Sequence, residues 1–234
     1  MKTIGLIGGM SWESSQLYYQ IINETVKERL GGHHSAKSLM YSVDFQEIKA
    51  LQEQGKWAEA TKIMVASAQK LERAGADVIV ICTNTMHKMA QEVEEAVTIP
   101  FLHIADATAT EIVKNGIKRV ALLGTAFTME QEFYKGRLTE RFGLEVMVPD
   151  KQERKLVHDI IYQELCLGIL NEASKQIYVN IIDHLEKQGA EAVILGCTEI
   201  TLLISQKDSR IPVYDTTRIH AVRAIDFALN DEVK

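Results

Sequence analysis

GADVIVICTNTMH, residues 75–87, is an apolar, β-favouring run that stops abruptly at small polar residues. A short apolar run after a glycine is typical of a buried parallel strand that follows a helix. GAEAVILGCTEI, residues 189–200, repeats the pattern, and an ungapped overlay of the two places Thr83 on Cys197. Two related strands therefore each deliver a small polar or nucleophilic side chain at an equivalent position.

The repeat extends well beyond these two strands. KRVALLG at 118–124 resembles KTIGLIG at 2–8, and Ile211-Pro212 resembles Ile99-Pro100. Predicted strands and helices recur in the same order in both halves, which indicates an internal duplication. Two halves of the βαβ type predict an α/β fold made of two pseudo-symmetric Rossmann-like lobes with parallel sheets. The first lobe is expected to comprise residues 1–103 plus 217–234, and the second lobe residues 104–216.

Hydrophobic periodicity and glycine stops give the predicted elements. Strands are expected at 3–7, 37–43, 77–82, 101–104, 118–124, 144–148 and 213–215, with one more before Cys197. Helices are expected at 14–29, 59–73, about 88–96, 107–114, 130–141, 174–187 and 218–229, with a helical turn in 44–51.

Composition restricts the class of protein. The 234 residues are 46% hydrophobic and 25% charged, as in a soluble globular protein, and no apolar run is long enough for a membrane span. The chain opens directly into a strand rather than a signal peptide, so a cytoplasmic location is expected. The net charge of −6 and the scattered basic residues argue against nucleic acid as a partner. The three cysteines show no zinc-type spacing, so no metal site and no disulfide are expected.

The ends of four predicted strands are candidates for an active site. In parallel sheets, ligands bind outside the carboxyl ends of the strands. The corresponding segments are 8–11, 83–85, 124–128 and 197–199, and together they would line a cleft between the lobes. The glycines at 8–9 would also let backbone N–H groups approach an anion. A reactive side chain on each wall suits racemisation, because one group removes the α-proton and another returns it from the opposite face. The backbone amides at the start of a helix after Cys197 are expected to lower the pKa of the Cys197 thiol.

Four motifs carry a family resemblance: IGLIGGMSW (4–12), CTNTMH (82–87), LLGTAFTM (122–129) and GCTE (196–199). The chain resembles the cofactor-independent aspartate/glutamate racemase superfamily over essentially its whole length. It is most similar to the branch of broad-specificity amino-acid racemases and L-aspartate/glutamate racemases. The resemblance implies an amino-acid racemase with two pseudo-symmetric lobes that needs no pyridoxal phosphate and no metal, and it implies a homodimer.

The chain departs from the family at the first catalytic position. The family usually has Cys-Asn-Thr there, whereas this chain has Thr83 with Cys82 one residue earlier. Because strand side chains alternate faces, Cys82 should point away from the position that Thr83 occupies. Cys197 is therefore predicted to be the thiolate base, Thr83 its opposite partner and Cys82 a structural residue. In the family the second cysteine serves the L-enantiomer.

The remaining candidate residues follow from the same strand ends. Hydroxyl, amide and backbone groups that could bind the substrate's carboxylate and ammonium are expected at Met10, Ser11, Gln52, Asn84, Thr85, Thr125, Thr128 and Thr198. Asn84 and Thr85 could instead cap the following helix. His87 and Glu199 are possible site-tuning residues. His87 could instead be a helix histidine whose hydrogen bonds are satisfied locally, and Glu199 could instead form a salt bridge elsewhere. Cys166, where some aspartate-specific relatives carry a lysine, is read as a core thiol, which leaves a wider substrate range open.

Two alternatives to an amino-acid racemase remain open from the sequence. One keeps the fold and changes the reaction, as in hydantoin racemase, maleate isomerase or arylmalonate decarboxylase. The other is a non-catalytic binding protein for a small acid, in which the missing cysteine marks the loss of catalysis. The sequence does not rank aspartate, glutamate and neutral amino acids as substrates.

Overall fold

The computed structural model describes residues 1–229 and contains two parallel β-sheets flanked by helices. The strands are β1 Ile4–Gly8, β2 Ser38–Ser42, β3 Val78–Ile81, β4 Phe101–Leu102, β5 Arg119–Gly124, β6 Glu145–Met147, β7 Ala192–Gly196 and β8 Val213–Asp215. The α-helices are α1 Trp12–Leu30, α2 Phe45–Glu53, α3 Trp57–Arg73, α4 Ala90–Glu95, α5 Ile104–Lys114, α6 Ala126–Glu130, α7 Glu132–Phe142, α8 Lys151–Gln163, α9 Glu172–Lys187 and α10 Thr216–Leu229.

The chain divides into two compact units. The first comprises Met1–His103 and the chain from His220 onward, and the second comprises Ile104–Ile219. Residues 217–219, which the sequence places in the first lobe, group with the second unit. The start of α10 is tied to that unit's sheet, because the Thr216 hydroxyl donates to the carbonyl of Leu195 at 2.8 Å.

The sheet of the first unit has the strand order β2-β1-β3-β4, with every pair parallel. Successive residues of β3 serve opposite faces, which explains its unbroken apolar run. Val78 and Val80 pack with α1 and α10, whereas Ile79 and Ile81 pack with α2 and α3. All four side chains are fully buried.

The sheet of the second unit repeats this arrangement as β6-β5-β7-β8, again with every pair parallel. Val193 and Leu195 of β7 pack with α8 and α9, and Ile194 packs with α5 and α7 on the other face. The equivalent strand order in the two units confirms the predicted α/β fold with two related parallel sheets.

Two helices of the second unit were not predicted from hydrophobic periodicity. One is the short α6, and the other is α8, which begins at a capping box. The carboxylate of Asp150 accepts the N–H groups of Gln152 and Glu153, and the Glu153 carboxylate accepts the N–H of Asp150. This reciprocal pair satisfies backbone donors that would otherwise be unpaired at the helix start. In residues 1–229 no helix combines the length and the apolarity needed to cross a membrane.

Candidate active site

Strands β5 and β7 end side by side in the second unit and present two predicted site segments at one sheet edge. Gly124 pairs with Gly196, so the residues that follow, Thr125 and Cys197, leave the sheet as neighbours. Glycine is needed at this point, because a Cβ on Gly124 would lie 2.8 Å from the carbonyl oxygen of Gly196. The duplication therefore places Cys197 where ligands bind in parallel sheets.

The Cys197 thiol is held by a neighbouring carboxylate. Its Sγ donates a hydrogen bond to Oε2 of Glu199 at 3.0 Å, and the hydroxyl of Thr198 donates to the same oxygen at 2.8 Å. All three side chains are buried, and Cys197 is 7% exposed. Of the two roles expected for Glu199, the structure shows the contact with Cys197.

The pKa of the Cys197 thiol is raised well above its usual value, first by burial and then by the charge of Glu199. The expected low pKa of this thiol is wrong, although a backbone hydrogen bond from Glu199 acts to lower it. Burial and the Glu199 carboxylate, which accepts the thiol's hydrogen bond, outweigh the amide of the short 3₁₀ segment Thr198–Leu202. In the absence of a ligand, Cys197 is therefore a thiol next to a base.

Thr125 and Thr128 form one local unit at the end of β5. The Thr125 side chain caps α6 by accepting the N–H of Thr128 at 3.3 Å, and the two hydroxyl oxygens lie 3.2 Å apart. Thr128 is fully buried and Thr125 is 4% exposed. Thr125 is therefore the more accessible of these two predicted binding residues, and Thr128 fixes its orientation.

In the first unit, Cys82 and Thr83 take different positions after β3. Cys82 is fully buried in the core with β1, α1 and α10, and burial raises its thiol pKa. Its carbonyl accepts the hydroxyl of Ser14 at 2.9 Å, which ties the strand end to the first turn of α1. Thr83 is outside that core cluster and is 9% exposed. The core position of Cys82 agrees with a structural role, and the opposite orientation of Thr83 stays a prediction.

His87 holds the backbone of Thr83. Its Nδ1 lies 2.8 Å from the Thr83 carbonyl oxygen, so Nδ1 carries the proton and donates it. The His87 ring is almost fully buried and packs 4.6 Å from the ring of His103. Asn84 precedes the 3₁₀ turn Thr85–Met89 but makes no side-chain capping bond, so the capping alternative for Asn84 is not observed. Thr85 is buried within that turn.

The other predicted residues of the first unit surround the same segment or the start of α1. Gln52 is buried in α2, and its amide lies 3.2 Å from the Met86 sulfur beside His87. Met10 is buried in the core, and Ser11 caps α1 by accepting the N–H of Ser14 at 3.4 Å.

The glycine turn at 8–9 serves a structural role. The Gly9 N–H donates to the Ser15 hydroxyl at 2.7 Å, so it is not directed at an anion as expected. Gly9 has φ of 91°, and a Cβ there would lie 2.2 Å from the carbonyl oxygen of Val43. The glycine is required because the backbone after β2 passes so close.

Reasoning from the sequence missed one acidic group at the Cys197 sheet edge. Asp215 ends β8, pairs with Leu195 of β7 and has a pKa raised by burial. The Ile-Pro repeat before β8 was the available signal, since it predicts a third strand ending at this edge. Cys166 is partly buried against the core that contains Cys197. Within residues 1–229, no group of three or more His, Cys, Asp or Glu side chains is arranged to hold a metal.

Residues 7–224 match the Asp/Glu/hydantoin racemase family, which is almost the whole chain and includes both strand-end motifs. The chain belongs to the Asp/Glu/hydantoin racemase family. The chain is similar to the broad-specificity amino-acid racemase RacX of Bacillus subtilis, with 28% identity over 161 residues that cover 68% of each chain.

Two solved structures resemble this chain closely. A candidate Asp/Glu racemase from Yersinia pestis is 56% identical, with a TM-score of 0.91 and coverage of 98% of this chain and 100% of the other. An aspartate racemase homologue from Pyrococcus horikoshii is 39% identical, with a TM-score of 0.84 and coverage of 97% and 99%. Family membership thus supports racemase chemistry.

Proposed function

We propose that this chain is an amino-acid racemase that works without pyridoxal phosphate and interconverts L- and D-amino acids by α-proton abstraction and reprotonation. Cys197 acts as the thiolate base, and Thr83 stands in place of a second cysteine. The observation that carries the proposal is the hydrogen bond from the Cys197 thiol to Glu199 at the end of β7. A buried thiol next to a carboxylate has a local acceptor for its proton, which a structural cysteine does not need.

Glu199 has two opposing effects on Cys197 in this proposal. Its charge raises the thiol pKa, which disfavours the thiolate in the empty site. Its Oε2 also lies at the position that receives the thiol proton. When a substrate's ammonium group lies nearer to Sγ of Cys197 than to the Glu199 carboxylate, its positive charge favours the form with the thiolate on Cys197 and the proton on Glu199. The base is then generated only when substrate is present.

Thr83 serves the other face of the α-carbon in this scheme. A hydroxyl is a much weaker base than a thiolate, but it can donate or relay a proton. The two enantiomers have equal free energies, so kcat/KM is the same in both directions. The asymmetry of the two groups therefore shows in kcat and KM separately and in isotope exchange. By family analogy, Cys197 removes the proton of the L-enantiomer.

The binding groups of the substrate are proposed from the same two strand edges. Thr125 and Thr198 in the second unit, with Ser11, Asn84 and Thr85 in the first, supply hydroxyl and amide groups for the α-carboxylate and ammonium. The electrostatic neighbours that most affect Cys197 are Glu199 and Cys166, neither of them cationic. We therefore expect a substrate range wider than aspartate alone.

The test of the function is α-proton exchange in D2O over a panel of amino acids, each supplied as the L- and the D-enantiomer. We expect loss of the α-proton signal by NMR together with appearance of the opposite enantiomer by chiral chromatography, for neutral as well as acidic amino acids. Hydantoins, maleate and arylmalonates are included as competing substrates. Turnover of one of those without amino-acid racemisation, or no exchange with any amino acid, would overturn the proposal.

A further inference from the structure

A surface cavity of the second unit is lined in part by Ala126, the first residue of α6, which follows Thr125 directly. It has a volume of about 500 Å³ and is formed by the first turns of α8 and by α6. That volume is in the usual range for small-molecule sites. Its lining consists of Ala126, Glu130, Lys151, Gln152, Arg154, Lys155 and His158. None of these residues takes part in the proposed chemistry.

The charge of the cavity favours an anion. Three of its lining residues are cationic and one is anionic, in a protein whose net charge is −6. Arg154 is held in place by Glu130 at 2.8 Å and by the Pro149 carbonyl at 2.7 Å. Lys155 pairs with Asp159, whereas Lys151 forms no ion pair within the described part of the chain. The first N–H groups of α8 are already bound by Asp150, so side chains would recognise the ligand.

His158 connects the cavity to the binding segment. Its Nδ1 accepts the N–H of Ala126 at 3.1 Å, and Ala126 follows Thr125 directly. Because a backbone N–H can only donate, Nδ1 is unprotonated and His158 is neutral in this contact. Burial is the first cause of the lowered pKa of His158, which agrees with the neutral form.

We propose that this cavity is a regulatory site for a small organic anion, a phosphate ester or a carboxylate, and that occupancy acts on Thr125 through the His158–Ala126 hydrogen bond. A bound anion favours the imidazolium form of His158. The imidazolium carries a proton on both nitrogens, so Nδ1 no longer accepts the Ala126 N–H. The start of α6 then loses a contact, and the Thr125 hydroxyl that caps it is displaced. Occupancy should raise KM, and more strongly at lower pH.

Several charged groups face His158 and set the background for this effect. On its own helix these are Lys155 and Asp159, and on α6 it is Glu130; the rings of Tyr162 and Phe127 pack at 4.8 and 6.2 Å. Asp159 and Glu130 raise the His158 pKa and Lys155 lowers it. An anion that pairs with Lys155 offsets the positive charge that lowers the His158 pKa. The negative charge of the anion and this weakening of the Lys155 effect both favour protonation of His158.

The test uses phenyl phosphate and phenylacetate as probes with the full-chain protein, and sodium chloride at equal ionic strength as the salt control. We expect NMR titration of His158 to show a pKa raised by about half a unit or more by at least one probe. Binding of either probe supports the proposal and identifies the head group. If neither probe moves the His158 titration beyond the sodium chloride control, the proposal is wrong, whether or not the protein racemises amino acids.

Matched variants separate this site from the general effects of charge. Lys151→Gln combined with Lys155→Gln should weaken probe binding at least tenfold, whereas Lys62→Gln, an exposed position in the first unit, should not. His158→Asn retains an oxygen that can accept the Ala126 N–H but cannot be protonated near neutral pH. It should retain binding and lose the rise of KM with the probe. Unchanged binding in the double variant, or the same rise of KM in His158→Asn, would contradict the proposal.

Discussion

Replacing Cys197 with alanine should lower kcat for racemisation by about 10⁴-fold, the upper range for loss of a general base. The same variant should abolish α-proton exchange for the enantiomer that Cys197 deprotonates. The physical reason is that Cys197 is the thiol at the proposed site that donates to a buried carboxylate. Steady-state kinetics with chiral chromatography and exchange in D2O give the two readouts.

Cys82→Ala is the control for this prediction. Cys82 is equally buried but lies in the core of the first unit, with its thiol pKa raised by burial. Its loss should cost about 1 kcal/mol of stability and change kcat by less than about threefold. Two-way activity retained in Cys197→Ala, or lost in a folded Cys82→Ala, would show that the wrong cysteine has been assigned.

Replacing Glu199 with glutamine should lower kcat by about 10²- to 10³-fold while lowering the thiol pKa of Cys197. The two effects have different origins. Glutamine has nearly the same shape but no charge, so the electrostatic effect that raises the thiol pKa is removed. The acceptor that receives the thiol proton is removed as well. The measurements are kcat and the pH dependence of alkylation of Cys197 by iodoacetamide.

The two effects of Glu199→Gln on activity oppose each other: a lower thiol pKa favours the thiolate base, whereas loss of the proton acceptor lowers kcat. If Glu199 acted only through its charge, Glu199→Gln would hold more thiolate at neutral pH and would be more active. Glu164→Gln is a suitable control, because the Glu164 carboxylate accepts the Ser174 hydroxyl at 2.7 Å. It should leave both kcat and the alkylation profile nearly unchanged. A rise in kcat in Glu199→Gln would contradict the proton-acceptor role.

The sequence predicts the fold well, because the decisive patterns are local and occur twice. The apolar run before Cys82 and its counterpart before Cys197 predict two buried strands, which are β3 and β7. The repeated Ile-Pro dipeptides predict β4 and β8, the strands that pair with β3 and β7. Helix α8 was missed although its start carries a local signal, the capping box formed by Asp150 and Glu153.

The candidate site could be predicted only in part. The core position of Cys82 was predictable from strand alternation, since that rule depends only on neighbours in the chain. The direction of the Cys197 pKa was wrong, because it depends on burial and on the rotamer that brings the Glu199 carboxylate to the thiol. The contact of His158 with Ala126 links side chain and backbone 32 positions apart, and no local pattern indicates it.

The asymmetry of the site is tested by α-proton exchange and racemisation in Thr83→Ala, followed together in D2O from each enantiomer. We expect racemisation to fall about 10²-fold, while the L-enantiomer still exchanges its α-proton within about threefold of the wild-type rate, because Cys197 remains intact. Thr110→Ala, at an exposed position of α5, should change neither rate. Equal loss of exchange and racemisation in Thr83→Ala, or exchange confined to the D-enantiomer, would contradict an asymmetric site in which Cys197 is the thiolate base.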